Sequence, residues 1–238
     1  MLYGKLRRLA AAALALVLPL SGCGPAVETD AAAELPEGQK LIALTFDDGP
    51  RRSTTTRLLD GLAERGVKAT FFLIGAQIEH NEDVVRRMDE EGHQIGIHTF
   101  DHVQLTDLNR ADFDAQVETT RQALASALGH DGFLLRPPYG MLDESVKAWA
   151  GCPIILWSID PEDWRDQDAE RVTEEVVAQA RDGGIILMHD IFPESVEAAL
   201  AIVDALHAQG YYFCTIAELF AARQIPLEAG QSYWNAYP

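Results

Sequence analysis

The sequence predicts an α/β fold on a parallel sheet, open or closed into a barrel, and three observations carry that expectation. From residue 40 onward, apolar β-prone runs alternate with amphipathic helical stretches. Several of the runs are apolar on both faces, as strands covered on both sides are. Five of them end in a ligand-type or titratable side chain, and in parallel folds the strand C-termini converge on one rim where active sites are built.

The first run is Leu41 to Phe46 and the second Ala69 to Ile74. Gln94 to Ile97, Phe133 to Leu135, Pro153 to Ile159, Gly184 to Met188 and Tyr211 to Thr215 follow, giving seven candidate strands. In 110–128, Phe113, Val117, Leu124 and Leu128 share a helix face; in 194–209, Val196, Leu200, Val203 and Leu206 do the same. Gly66, Gly92, Gly129, Gly183 and Gly210 follow helical stretches, where a left-handed cap suits them. There is no internal repeat and no sign of a second folded domain.

The chain has 238 residues, 47% of them apolar, enough for one core of ordinary domain size. Its first 22 residues read as an export signal. Lys5, Arg7 and Arg8 precede a short apolar run from Leu9 to Leu20, too short to span a bilayer comfortably. Leu20-Ser21-Gly22-Cys23 resembles a bacterial lipobox, which would make Cys23 the lipid attachment point and hold the protein on an extracytoplasmic membrane face. Residues 23–39 read as a flexible tether rich in Ala, Glu, Gly and Pro, and 40–238 as the folded domain. The formal charge of −18 becomes about −21 without the leader, which argues against nucleic acid or an anionic surface as a partner. Cys152 and Cys214 adjoin or lie in strands, as a disulfide or as two buried thiols.

The reactive residues cluster at strand ends. Asp47 and Asp48 follow the first strand, His98 the third, Arg136 the fourth, Asp160 the fifth and His189 the sixth. Strand ends border polar loops, but Gly, Ser, Asn or Lys would serve a loop equally well. His98 and His102 lie four residues apart; a helical turn after the strand would aim both rings the same way. With Asp47 or Asp48 they make two imidazoles and a carboxylate, a set used by catalytic zinc and some iron sites. One acid can bind the metal while its neighbour activates water. His80, His93, His130 and His207 lack such context and read as surface or structural. No Gly-x-Ser-x-Gly and no His-Glu-x-x-His occurs, so neither a serine hydrolase nor a zincin-type protease is supported.

These motifs, taken in order, resemble the NodB-like polysaccharide deacetylases, carbohydrate esterase family four. Thr45-Phe46-Asp47-Asp48-Gly49-Pro50 is similar to the first signature, His98-Thr99-Phe100-Asp101-His102 to the second and Arg136-Pro137-Pro138-Tyr139-Gly140 to the third. Asp160-Pro161-Glu162-Asp163-Trp164 resembles the fourth and Leu187-Met188-His189 the fifth, and the likeness extends over about residues 40 to 220. The resemblance implies a distorted (β/α) barrel of about seven parallel strands. It implies one divalent metal, zinc foremost with cobalt, nickel or manganese able to serve, held by Asp48, His98 and His102. It makes Asp47 the general base, oriented by Arg136, and His189 the general acid. Asp163 would buttress the Arg136 or His189 side, with Asp160 a weaker candidate. The Tyr139 N–H would stabilise an oxyanion, and Trp164, Leu187 and Pro137 would line the substrate pocket. Where the family often has Asn before the first metal histidine this chain has Ile97, which raises the expectation of altered hydrogen bonding around the ligands. The implied reaction is removal of N-linked acetyl groups from an N-acetylglucosamine-type polysaccharide, by a monomer. The competing readings are an O-acetyl esterase on a xylan-type glycan and a non-catalytic carbohydrate-binding lipoprotein.

Overall fold

A computed structural model describes residues 38–238. The predicted leader, Cys23 and nearly all of the tether lie outside the described residues. Strands β1 (Lys40–Asp47), β2 (Thr70–Leu73), β3 (Gln94–Ile97), β4 (Leu134–Leu135), β5 (Ile154–Ile155), β6 (Gly184–His189), β7 (Tyr211–Phe213) and β8 (Ser232–Tyr233) form one sheet. Its order is β6-β1-β2-β3-β4-β5-β8, with β7 against the start of β1. Every pairing is parallel. The seven expected strands are all present, β5 much shorter than its apolar run.

The sheet curls into a distorted barrel whose seam lies between β5 and β6. Past β5 the chain crosses to β6: the Ile159 N–H donates to the Ile185 carbonyl at 3.1 Å and the Leu187 N–H to the Ile159 carbonyl at 2.9 Å. Below that crossing the gap is filled by β8, an eighth strand that the sequence reading missed. Leu156 N–H donates to Tyr233 and Ala236 N–H to Gly183, at 2.7 and 2.8 Å. The approach at Gly183 is close: a Cβ there would stand 2.2 Å from the Ala236 oxygen, and its φ is +87°.

Alternation along the strands sorts side chains into two cores. Leu44, Phe46, Phe71, Leu73, Ile95, Ile97, Leu135, Ile186 and Met188 face outward into the larger cluster. The helices α1 (Arg52–Glu64), α2 (Glu82–Glu90), α3 (Arg110–Leu128), α4 (Glu144–Trp149), α6 (Ala169–Gln179) and α7 (Pro193–Ala208) cover that face, and α5 (Asp163–Asp166) is a single turn before α6. Ala43, Phe72, Leu134, Ile155 and Ile185 face inward with Ile216, Leu219 and Phe220 of α8 (Ile216–Ala222). Helix α8 plugs the lower end of the barrel. Its first amides, Ile216 and Ala217, donate to Thr70 Oγ1 and Gln94 Oε1 at the starts of β2 and β3. A Thr215–Glu218 capping box fixes its start.

Helix α3 matches its predicted span, with Asn109 accepting from Ala111 and Asp112 N–H and Gly129 closing it at φ +78°. His93 is a buried structural residue: its Nδ1 accepts from the Ala69 N–H at 3.0 Å, and burial lowers its pKa to about 4. Cys152 and Cys214 are free buried thiols, one in each core. No helix among the described residues is long and apolar enough to cross a membrane.

Candidate active site

The same alternation that points Ala43 and Phe72 into the barrel points the next inward residues at its upper rim. Thr45 and Asp47 lie along β1, Arg136 follows β4, and Leu187 and His189 lie on β6. Arg136 is fully buried, its guanidinium stacked 4.1 Å from the centre of the Phe72 ring. It donates to Asp47 Oδ1 and Thr45 Oγ1 at 2.8 Å each, and to the Ile155 and Leu156 carbonyls at 3.2 and 3.1 Å. The Thr45 hydroxyl in turn donates to the Ile186 carbonyl at 2.6 Å. The charge is removed from water but surrounded by acceptors from β1 and the end of β5, so the Asp47 carboxylate is held in one orientation. Gly96 makes room for this stack: a Cβ there would come 2.6 Å from the Phe72 ring.

Asp48 leaves the strand at φ +71° and turns toward the two histidines. Its Oδ1 lies 3.5 Å from His98 Nε2 and 3.3 Å from His102 Nε2. That oxygen is buried with no hydrogen-bond partner. One donor atom from each of Asp48, His98 and His102 lies within 4.8 Å of the other two, a convergence that can hold a divalent cation. His98 Nδ1 sits 2.7 Å from the Arg136 carbonyl; this bond puts the proton on Nδ1 and leaves the Nε2 lone pair facing Asp48. Burial, with the neighbouring His98, lowers the His102 pKa, favouring the neutral imidazole that binds metal. An orphaned carboxylate oxygen beside two converging imidazole nitrogens fits a bound cation.

The segment from His98 to His102 does not turn helically. Thr99 and His102 both have positive φ, 62° and 57°. The rings still meet, with centroids 5.0 Å apart, because the loop bends left-handed. Ile97 has its side chain on the outer face of β3 in the helix-facing core, opposite His98. The expected change in hydrogen bonding beside the histidines therefore has no counterpart at that side chain.

On the opposite side, Asp163 is buried and takes two bonds from one residue. His189 Nδ1 lies 2.8 Å from Asp163 Oδ1, and the His189 N–H donates to Oδ2 at 2.9 Å. Asp163 thus braces His189 and makes no bond to Arg136. Burial works against the imidazolium, but the bond and charge of Asp163, with Asp47 and Asp48 behind it, outweigh that and raise His189 to about 9. Asp160 instead accepts from the Glu162 N–H in its own turn. Leu187 and Pro137 are buried, whereas Trp164 is 50% exposed and Tyr139 64% exposed. Tyr139 has φ +62°, and its N–H reaches no acceptor among the described residues.

Asp190 was missed, although it carries the signal used elsewhere, a carboxylate at a strand C-terminus. It is fully buried, accepts from Thr55 Oγ1, and packs so close to Gly49 that a Cβ there would stand 2.6 Å from its Oδ1. Thr55 Oγ1 also accepts from the Arg51 N–H at 2.9 Å, so Asp190 ties the loop after β1 to the end of β6. Burial raises its pKa to about 7.

Comparison with known proteins gives a consistent result. Residues 34–151 match the family described as polysaccharide deacetylase. The peptidoglycan-N-acetylglucosamine deacetylase PgdA of Listeria monocytogenes is 42% identical over 204 residues, 85% of this chain and 43% of that protein. A peptidoglycan-N-acetylglucosamine deacetylase of Bacillus cereus is 35% identical over 78% of this chain and 70% of its own length. Among solved structures, a family 4 acetyl xylan esterase from Clostridium thermocellum in complex with cobalt superposes with a TM-score of 0.79 at 30% identity, covering 82% of this chain and 98% of that one. The chain spans about two fifths of the length of the first of these relatives.

Proposed function

Because the chain belongs to the polysaccharide deacetylase family, we propose that it removes N-linked acetyl groups from an N-acetylglucosamine-containing glycan of the cell envelope. The observation that carries this is a convergence on the barrel rim. A carboxylate held by a buried arginine, a cation-type donor set, and a charged histidine braced by a buried acid all meet there. The names of the Listeria and Bacillus relatives support a peptidoglycan substrate.

A divalent cation held by Asp48, His98 and His102 would supply Lewis acidity, polarising the acetyl carbonyl and making water a better nucleophile. Zinc suits two imidazoles and a carboxylate, and the Clostridium esterase, solved in complex with a cobalt ion, supports cobalt as an alternative. Asp47, fixed by Arg136, takes a proton from the attacking water through its free Oδ2. The Tyr139 N–H is free to donate to the oxyanion that develops on the former carbonyl oxygen. His189 is protonated at neutral pH, with Nδ1 on Asp163, so Nε2 donates the proton that the departing amine needs. Leu187 and Pro137 offer apolar walls for the acetyl methyl, with Trp164 at the rim. The export signal and Cys23 support a lipid-anchored, extracytoplasmic location, where such a glycan is found. A monomer suffices, since the site is complete within one chain.

The test is acetate release from N-acetylglucosamine oligomers by the purified protein, before and after chelation and after adding back zinc or cobalt. Acetate that is lost on chelation, restored by metal and absent from Asp47→Asn is the expected result. A folded, metal-loaded protein that releases none would overturn the reading. The likeness to an acetyl xylan esterase favours one alternative, O-acetyl ester hydrolysis at the same site, which turnover of acetylated xylan alone would establish.

A further inference from the structure

His98 and His102 are held in different ways. His98 ends β3, and its ring is set by the Arg136 carbonyl. His102 has no such partner at Nδ1 among the described residues; its ring lies against those of Tyr139 and His98, with centroids 4.9 and 5.0 Å away. Metal-binding imidazoles usually take their orientation from a hydrogen bond at the other nitrogen. For His102 the orientation must come from the backbone that carries it.

That backbone is irregular and is fixed from both sides. The Gly75 and Ala76 N–H groups, in the 3-10 turn after β2, donate to the Thr99 and Phe100 carbonyls at 2.9 Å each. Two amides of the bend, those of Phe100 and Asp101, face α3. There Gln116 Oε1 accepts from the Phe100 N–H at 3.0 Å and the Asp101 N–H at 2.9 Å. Gln116 Nε2 donates to Asp101 Oδ2 at 2.9 Å. One side chain, outside every motif singled out in the sequence, thus meets three polar groups of the residues just before His102. Leaving those amides unpaired would penalise the left-handed bend.

We propose that Gln116 is the positioning residue for His102, setting the metal affinity of the site from α3. This rests on the reading that Asp48, His98 and His102 hold the cation. Gln suits the place because it offers one acceptor to two amides and one donor to a carboxylate. Glu would keep the acceptor but set a second carboxylate against Asp101, and Asn at 101 would relieve that clash.

The experiment measures zinc affinity by competition with a chromogenic chelator, together with the melting temperature of the metal-free protein. It compares wild type, Gln116→Ala, Gln116→Glu and the double variant Gln116→Glu with Asp101→Asn. The proposal expects Gln116→Ala to weaken zinc binding by about 10- to 100-fold, the range for lost supporting bonds behind a ligand. It expects Gln116→Glu to weaken it too, and the added Asp101→Asn to restore most of the loss. A folded Gln116→Ala within twofold of wild type overturns the proposal, and so does a lower metal-free melting temperature with unchanged affinity. If Gln116→Ala does not fold, equal affinities in the single and double glutamate variants overturn it. A wild-type protein that binds neither zinc nor cobalt would instead remove the metal-site reading beneath it.

Discussion

Arg136 and Asp163 do similar work at opposite sides of the site: each is buried and holds one reacting group, Arg136 by one of its four hydrogen bonds and Asp163 by two. Replacing the proposed base, Asp47→Asn, should lower kcat by about 100- to 10,000-fold with folding intact, measured by acetate release and circular dichroism. Removing its support is a different experiment. Arg136→Ala leaves Asp47 buried without its partner and should cost about 3–5 kcal/mol of stability in urea titration. A loss under about 1 kcal/mol would contradict the buried pairing. For His189, Asp163 raises the pKa to about 9 against the effect of burial. If the protonated form is required, activity falls as pH rises past about 9. Asp163→Asn should move that alkaline limb down by at least one pH unit, and an unmoved limb would exclude Asp163 as its cause.

At the scale of elements, the seam between β5 and β6 is the weak point of the barrel. It is bridged by Ile159 above and by the short β8 below. Truncation after Gly230 removes the partners of Ile154, Leu156 and Gly183 and exposes two strand edges. The shortened protein should melt at a lower temperature and lose activity as the β6 end carrying His189 loosens; an unchanged melting curve would mean that β8 is dispensable. The strand reading explains why β8 escaped notice. Ser232 and Tyr233 carry no apolar run, and two residues become a strand only where an open seam offers them partners. The overestimate at β5 has the same origin. Pro153 to Ile159 is one apolar stretch, but its upper part leaves β5 for β6 to close the barrel.

For the molecule as a whole, pH acts on the metal-free protein through several groups; His93, lowered from 6.5 to about 4, makes stability rise with pH between those values, and Asp190 and His189 act the other way. Asp190 is raised from 3.8 to about 7, so the folded state keeps a proton that the unfolded chain has lost, and stability declines as pH rises between those values. His189 is raised from 6.5 to about 9, so its contribution is full below 6.5 and is lost as pH rises through 9. Both slopes have the same sign. Asp190→Asn should make the slope between about 4 and 7 more positive and leave the part above 7, read as urea midpoints at a series of pH values. Bound zinc at 100 times its dissociation constant should add about 2.7 kcal/mol. A protein of this size should then melt roughly 5–10 °C higher, and chelator should reverse the shift.

The local pattern of the sequence determined which residues could share a rim. Alternation along each strand, read to its C-terminus, brought Asp47, Arg136 and His189 to one side, and the spacing of His98 and His102 made them a pair. Those are short-range facts, set by bond geometry and burial, and a sequence displays them directly. Only the tertiary structure decided which side Asp163 serves, sending it to His189 across 26 residues. It also buried Asp190, set Gln116 under the histidine loop and chose a left-handed bend over a helical turn. Each of these depends on which elements pack together, and that is fixed by the whole core rather than by any stretch of chain.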